Sequence, residues 1–414
     1  MKIRIPIYRY KSENKGIFWT LMVILVFSHK CFYLWLQDTY MISSIKYSDI
    51  GIVWSILFTG IIILQSGLPR EHKITKYVYF YMCMVLISAI TGSIIHDQSL
   101  FRGIFAQRMQ IGYFFLMLGV VRLFELKKIS RKDIEHVVEA LGWFELILCT
   151  VQYIVYEFTG QMFLVVGQGI RYEGNRFYFE PIVLLMSLFH VYNKFLSEKK
   201  HRVRNLVFLV WAGIWFIVIT KMRAMTLAYL LTLVVGFLIW KGTPRKKLLF
   251  AILGVVVVGI LMSQSTIVQD VVNAVFNLGE DANYGVRISG RSQMLSEFAK
   301  TPITGRGYPS VSSESAQNAL RGYLFVDNGV WGIVYSYGII GILWVVFLWI
   351  ELCMKAWRLR KKQMAYFLYF CYYTIGFMTD FSWFWIACCP FSIMVAMMMD
   401  EETEAVEVYG KEGE

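Results

Sequence analysis

The stretch "LVFLVWAGIWFIVITKMRAMTLAYLLTLVVGFLIW", Leu206 to Trp240, decides the fold. Its first 15 residues are uncharged, Lys221 and Arg223 then stand close together, and a second uncharged run continues to Trp240. Crossing a hydrocarbon core as a helix takes about 20 apolar residues, whereas a barrel strand alternates over about ten. The stretch reads as a helical hairpin in a bilayer with two cations at its tip.

The rest of the chain repeats this pattern. Hydrophobic residues make up 57% and aromatics 17% of 414 residues, and the mean hydropathy is +0.52, outside the range of soluble domains. Apolar runs lie near 17–36, 49–67, 77–95, 109–124, 137–159, 180–196, 206–220, 223–240, 248–264, 328–350, 364–380 and 382–399. They predict an all-α integral membrane protein with about 12 transmembrane helices. Residues 1–264 would hold nine spans with short connections, 265–327 one long extracytoplasmic loop, 328–399 three more spans, and 400–414 an acidic, solvated, disordered tail.

Charge orients the array. Cations number five between Lys2 and Lys15, three between Arg70 and Lys76, and five between Arg122 and Lys132. Five more lie between Lys194 and Arg204, four between Lys241 and Lys247, and five between Lys355 and Lys362. These are the alternate connections, as the positive-inside rule requires if both termini are cytoplasmic. Topology and anionic lipid therefore explain most of the net charge of +12, which gives no support to nucleic-acid binding. The first run is long, contains His29 and Lys30, and lacks a small-residue cleavage site, so it reads as a retained anchor in a multi-pass plasma (inner) membrane protein.

Some chemistries find no support. The seven cysteines fall in or at the ends of the apolar runs, which argues against a disulfide framework. There is no Asp-x-Asp pair, His/Cys cluster or nucleotide fingerprint, so neither a metal nor a soluble cofactor is indicated. Gly305 and Gly307 flank Arg306, a weak hint of a phosphate cradle without a strand–turn–helix context.

The remaining cations gather on the outer side. A charge facing lipid at the bilayer centre costs about 2.5–3.5 kcal/mol. Lys221 and Arg223 either snorkel at an interfacial turn, or Arg223 opens the next helix and faces an anion there, aided by the helix N-terminus. "GIRYEGNRFYFEP" adds Arg171 and Arg176 beside Glu180 and just before Pro181, a good helix start. Glu180 either orients Arg176 or favours that helix start. Arg321 precedes "FVDNGVWGIVYSYGIIG", in which Asp327 and Asn328 open a helix; Asp327 is either a cap or a working group. Glu145, inside the fifth run, calls for a partner or a proton, and His96-Asp97 reads as an interface pair. Guanidinium groups from several loops suit a diphosphate, whose oxygens they bind in pairs.

Four segments carry a resemblance. "RYEGNRFYFEP", "TKMRAMTLAYL", "GRSQMLSEFAKTPITGRGY" and "VDNGVWGIVYSYGIIGIL" are similar, in this order, to motifs of the O-antigen ligase and polymerase superfamily. These are multi-pass enzymes that handle polyprenyl-diphosphate-linked glycans outside the plasma membrane. Asp327-Asn328 stands where ligases usually have His-Asn, and Met222-Arg223 replaces the common Ser-Arg.

The resemblance implies a metal-independent glycosyl transfer that joins lipid-linked repeat units into O-antigen, capsule or exopolysaccharide. Arg176 and Arg223 would hold the leaving diphosphate and Asp327 would act as base. Arg171, Arg291, Arg321, Lys221 and Glu180 would bind substrate. The partners implied are polyprenyl-diphosphate-linked oligosaccharide, membrane lipid and a chain-length regulator. A ligase of finished glycan and a lipid-linked oligosaccharide flippase are the alternatives.

Overall fold

The computed structural model describes residues 15–34, 40–42, 45–46, 49–69, 73–171, 174–198, 201–221, 223–240, 282–322, 325–379 and 387–411. These residues are mostly helical. In chain order come α1 (Lys15–Ser28), α2 (Asp49–Ser66), α3 (Lys73–Ile95), α4 (Leu100–Phe105), α5 (Arg108–Glu125), α6 (Arg131–Thr159) and α7 (Ile182–Ser197). Then follow α8 (Arg202–Ile214), α9 (Arg223–Ile239), α10 (Ala282–Lys300), α11 (Glu314–Gly322), α12 (Trp331–Leu359), α13 (Met364–Thr379) and α14 (Cys388–Lys411). Two small antiparallel pairs complete the set, β1 (Tyr40–Ile42) with β2 (Ile45–Lys46) and β3 (Gln168–Arg171) with β4 (Gly174–Phe177).

Eleven of the twelve apolar runs coincide with helices, and the run 248–264 lies outside the described residues. Among the described residues, five segments are long and apolar enough to cross a membrane: Asp49–Ser66, Ile74–Ile95, Arg131–Thr159, Arg202–Thr220 and Trp331–Leu359. Shorter apolar helices pack among them. Large apolar side chains such as Leu57, Leu64 and Ile94 point outward, as lipid contact demands. The chain is an all-α membrane protein.

Helices alternate in direction. α1, α3, α6, α8 and α13 run toward one face, where residues 160–171, 174–181, 301–322 and 325–330 lie, and α2, α5, α7, α9, α12 and α14 run away from it. The first is called the loop face. α6 packs on α7, α2 and α14 on α5, and α13 on both α7 and α9.

A buried ionisable cluster ties the end of α1 and the start of α7 to the middle of α6. His29, just past α1, places Nε2 3.1 Å from Oε1 of Glu145 on α6, and both residues are buried. The other carboxylate oxygen accepts the Leu184 N–H at 2.9 Å in the first turn of α7. A helix N-terminus has backbone N–H groups without partners, and here a neighbouring helix supplies one of the missing acceptors. The partner that Glu145 calls for in the sequence is thus His29.

The described part of the long loop is bound into the bundle. Gly338 interrupts α12 at φ 63, ψ −150, which removes local helical pairing. No water reaches a bilayer core to repair such a break. Residues 302–306 repair it instead, as Ile339 N donates to Pro302 O at 2.8 Å, Ile340 N to Ile303 O at 3.3 Å, and Arg306 N to Tyr335 O at 2.7 Å. Further on, Tyr308 N donates to Ser88 Oγ, while the Gln98 amide accepts from Ser310 N and donates to Tyr308 O, each at 2.8 Å. Gly305 and Gly307 are glycines for this packing. A Cβ on Gly305 would lie 2.5 Å from Tyr335 O, and one on Gly307 2.3 Å from Gly92 N. In place of the phosphate cradle suggested by the sequence, the two glycines form a turn wedged between α12 and α3.

The C-terminal segment also departs from expectation. α14 continues through the acidic stretch to Lys411, and Asp400 Oδ2 accepts from Arg131 Nε at 3.0 Å. A helix that is already nucleated extends at little cost through residues such as Glu and Ala, and neither Gly nor Pro intervenes between Pro390 and Gly410.

Gly305→Ala is expected to weaken loop docking by about 1–3 kcal/mol, the cost of a non-glycine residue held at positive φ. Hydrogen exchange at Ile339 and Ile340 should rise roughly five- to 150-fold. Gly285→Ala, where a Cβ meets nothing within 4 Å, should leave exchange unchanged.

Candidate functional site

Two polar groups stand on the loop face. The first forms where α8 ends. Its last turn, Trp215–Thr220, is a π-helix, and Lys221 follows at φ 48 before α9 begins at Arg223. π segments often mark functional positions, and the left-handed residue makes a tight reversal.

Arg176 reaches this reversal from the β3–β4 hairpin. Strand pairing sets Gly169 opposite Arg176, and the Arg176 Nε donates to Thr220 O at 2.9 Å. The guanidinium lies 4.5 Å from the Tyr178 ring centroid, within cation–π range. Asn175 Nδ2 donates to Glu157 Oε1 at 2.9 Å, which ties the hairpin to the end of α6. Lys221 is buried. Burial lowers its pKa below the ordinary lysine value, and the Glu157 carboxylate opposes that shift. Arg176, Lys221 and the start of α9 at Arg223 are therefore neighbours. The side chains of Arg171, Arg223 and Asp327 lie outside what is described.

Glu180 stands just before α7, and a cation from beyond α1 reaches it. Lys30 Nζ donates to its Oε1 at 2.9 Å, and the Glu180 backbone N–H donates to Tyr33 Oη at 2.7 Å. Lys30 through Tyr33 form a left-handed turn with φ from 45 to 60. This geometry is costly for L-residues, about 1–2 kcal/mol each, and it carries Lys30 from the end of α1 to the start of α7. Glu180 is thereby engaged by Lys30, while Arg176 bonds the backbone. The sequence signal for Lys30 is its position as the one Lys or Arg in the first apolar run.

The second group gathers around the 3-10 turn Phe325–Asn328. Arg291 Nε on α10 donates to Oδ1 of buried Asn328 at 3.3 Å. A Cβ on Gly329, φ 55, would lie 2.1 Å from Met378 O, so the turn sits against the end of α13. α11 packs on the same turn and ends near Arg321, which is exposed. Because α13 packs beside α9, the end of one and the start of the other share the loop face. Among the described residues, no group of three or more His, Cys, Asp or Glu is arranged to hold a metal.

The arrangement fits anion chemistry at a membrane surface. Arg176 from the hairpin reaches the α8–α9 turn that carries Lys221, beside a helix N-terminus, where negative charge is favoured. Arg291 and the Asp327-Asn328 turn occupy the same face. The fold and this face define a multi-pass membrane protein with a polar, extensively structured loop face.

A family model described as O-antigen ligase matches residues 208–346. The matched segment begins in α8 and includes Lys221, Arg223, Arg291, Arg306, Arg321 and the Asp327-Asn328 turn; Arg171, Arg176 and Glu180 precede it. The match spans about a third of the chain, and over it the resemblance read from the three motifs that lie between Thr220 and Leu343 is borne out. No curated protein matches the chain.

Arg176→Lys should loosen the hairpin from the α8–α9 turn, because lysine lacks the planar fork that reaches Thr220 O and stacks on Tyr178. A hydrogen bond from a charged donor contributes about 1.5–3 kcal/mol. Amides of residues 174–177 should therefore exchange at least roughly tenfold faster, with those of α12 unaltered.

Proposed function

We propose that the protein polymerises polyprenyl-diphosphate-linked oligosaccharide repeat units by glycosyl transfer at the outer face of the plasma membrane. The loop face is the outer one in this reading, consistent with the basic segments at the opposite helix ends. The observation that carries the proposal is the bond from Arg176 Nε to Thr220 O. It brings a hairpin guanidinium to the turn from which Lys221 and Arg223 emerge, within and beside the family-matched segment.

In this mechanism an acceptor hydroxyl of one lipid-linked unit attacks the anomeric carbon of the growing chain. The carbon–oxygen bond to the polyprenyl diphosphate breaks, and the electron pair leaves with the diphosphate. The hydroxyl proton passes to the Asp327 carboxylate. Arg176 and Arg223 bind the diphosphate and stabilise its developing charge, with Lys221, Arg171, Arg291 and Arg321 as further cations at the site. Glu180, through Lys30, fixes the hairpin and the start of α7. The chemistry assigned to these residues requires no metal.

Ligation of finished glycan to another acceptor is the second reading, and the description of the matching family favours it. Asp327 in the position where ligases usually carry His favours polymerisation.

Cells lacking the gene should accumulate single repeat units outside the membrane, and the glycan ladder should return with wild type but not with Arg223→Ala. Mass spectrometry and gel ladders decide the matter. Long polymer stranded on carrier lipid would establish ligation, and single units held on the cytoplasmic leaflet would establish a flippase.

A further inference from the structure

Beside the cationic groups, the loop face holds a cavity of about 770 Å³, within the range of small-ligand sites. Its walls come from the α3–α4 connection, the end of α10, the segment after Arg306, and α11. Arg102 and Arg306 line it together with Asp97, Glu297 and Glu314, so its cations do not exceed its anions. Arg306 is also engaged, with Nε 3.2 Å from Glu297 Oε2. A diphosphate needs cations in excess, which this lining lacks.

The lining instead interleaves donors and acceptors. Hydroxyls of Ser312, Ser313 and Ser315 and the Asn318 amide add groups that both donate and accept. A sugar hydroxyl likewise does both, so neighbouring hydroxyls are matched by carboxylates, amides and hydroxyls in alternation.

One buried group points to a ligand. His96, read from the sequence as an interface residue, is 2% exposed and lines the cavity. Ser313 Oγ donates to its backbone carbonyl at 2.5 Å, and its ring lies 6.3 Å from the Tyr335 ring, centroid to centroid. Its Nε2 is buried without a hydrogen-bond partner, an arrangement native proteins seldom leave unexplained. Burial and then the Arg306 charge push the imidazole pKa down to about 4, against the opposing effects of the Gly307 backbone and Glu297. Near neutral pH the ring is uncharged, and with the Gly307 backbone taking its donor side, Nε2 remains as an acceptor.

We propose that this cavity is a saccharide subsite, which binds the glycan of the lipid-linked substrate through hydroxyl contacts to His96 Nε2, Glu314, Asn318 and their neighbours. The inference rests on the proposed function, which supplies the glycan, and adds the place where its sugars lie. α11 connects the two regions, since it lines the cavity on one side and packs on the Phe325–Asn328 turn on the other. The diphosphate and its sugars would thus occupy adjoining parts of one face.

The test uses the full chain in lipid nanodiscs. One probe is the oligosaccharide released by mild acid from the lipid-linked intermediates of the producing cells, followed by saturation-transfer NMR. The other is inorganic pyrophosphate, followed by calorimetry. Glu314 and Asn318 are exposed, so Glu314→Ala and Asn318→Ala leave the fold intact. His96→Gln, which retains a polar group, tests the buried acceptor. Each variant should weaken saccharide binding roughly tenfold, the effect of losing one good hydrogen bond, with pyrophosphate affinity unchanged.

Equal saccharide binding by wild type and all three variants would overturn the subsite, as would absence of saccharide binding by wild type. Pyrophosphate displacing the saccharide, with both affinities lowered in the variants, would make the cavity an anion site and also overturn it. Retained, variant-sensitive saccharide binding without any pyrophosphate binding would support the subsite while removing the proposed diphosphate chemistry.

Discussion

The carboxylate of Glu145 imposes the condition from which the loop-face geometry follows. A charge or polar group in the low-dielectric interior is tolerated only when its partners are in place. Glu145 has two, the His29 ring beyond α1 and the Leu184 N–H at the start of α7. These contacts fix where α1 ends and where α7 begins. The two ends then support the Lys30–Tyr33 turn and Glu180, joined by the Lys30 ion pair and the Tyr33 hydroxyl. The hairpin bearing Arg176 is the segment that leads into this anchored point.

The same logic operates at the other end of the site with backbone groups in place of a carboxylate. The break at Gly338 frees polar groups where lipid offers nothing, and the turn 302–306 supplies the partners. One side of the loop face is thus held by side chains and the other by main chain. Between them lie the Arg291–Asn328 contact, the end of α13 and the start of α9. Neither side is held by a disulfide, in keeping with cysteines confined to the helices and their ends.

Much of the helical array is legible in the sequence because lipid imposes a strict length and composition on each span. The pair Lys221 and Arg223 stands out for the same reason, as charges where apolar residues are the norm. The Lys30–Glu180 pair and the burial of His96 depend on segments 150 and more residues apart, and no local pattern encodes such meetings. Gly305 and Gly307 were visible as a motif, but the neighbours that explain them, Tyr335 and Gly92, lie elsewhere in the chain. The acidic terminus misleads by composition alone, since charge density says little about a segment that continues an existing helix.

The interlock between α12 and the turn 302–306 has a consequence for biogenesis. The wedge is synthesised before the helix that receives it, and must be held at the loop face when α12 enters the bundle. Until then Ile339 and Ile340 lack their carbonyl partners, so α12 reaches its final form only through a segment made earlier. Insertion of this part of the chain is therefore a matter of sequence in time, with the loop waiting for its helix and the helix completed by its loop.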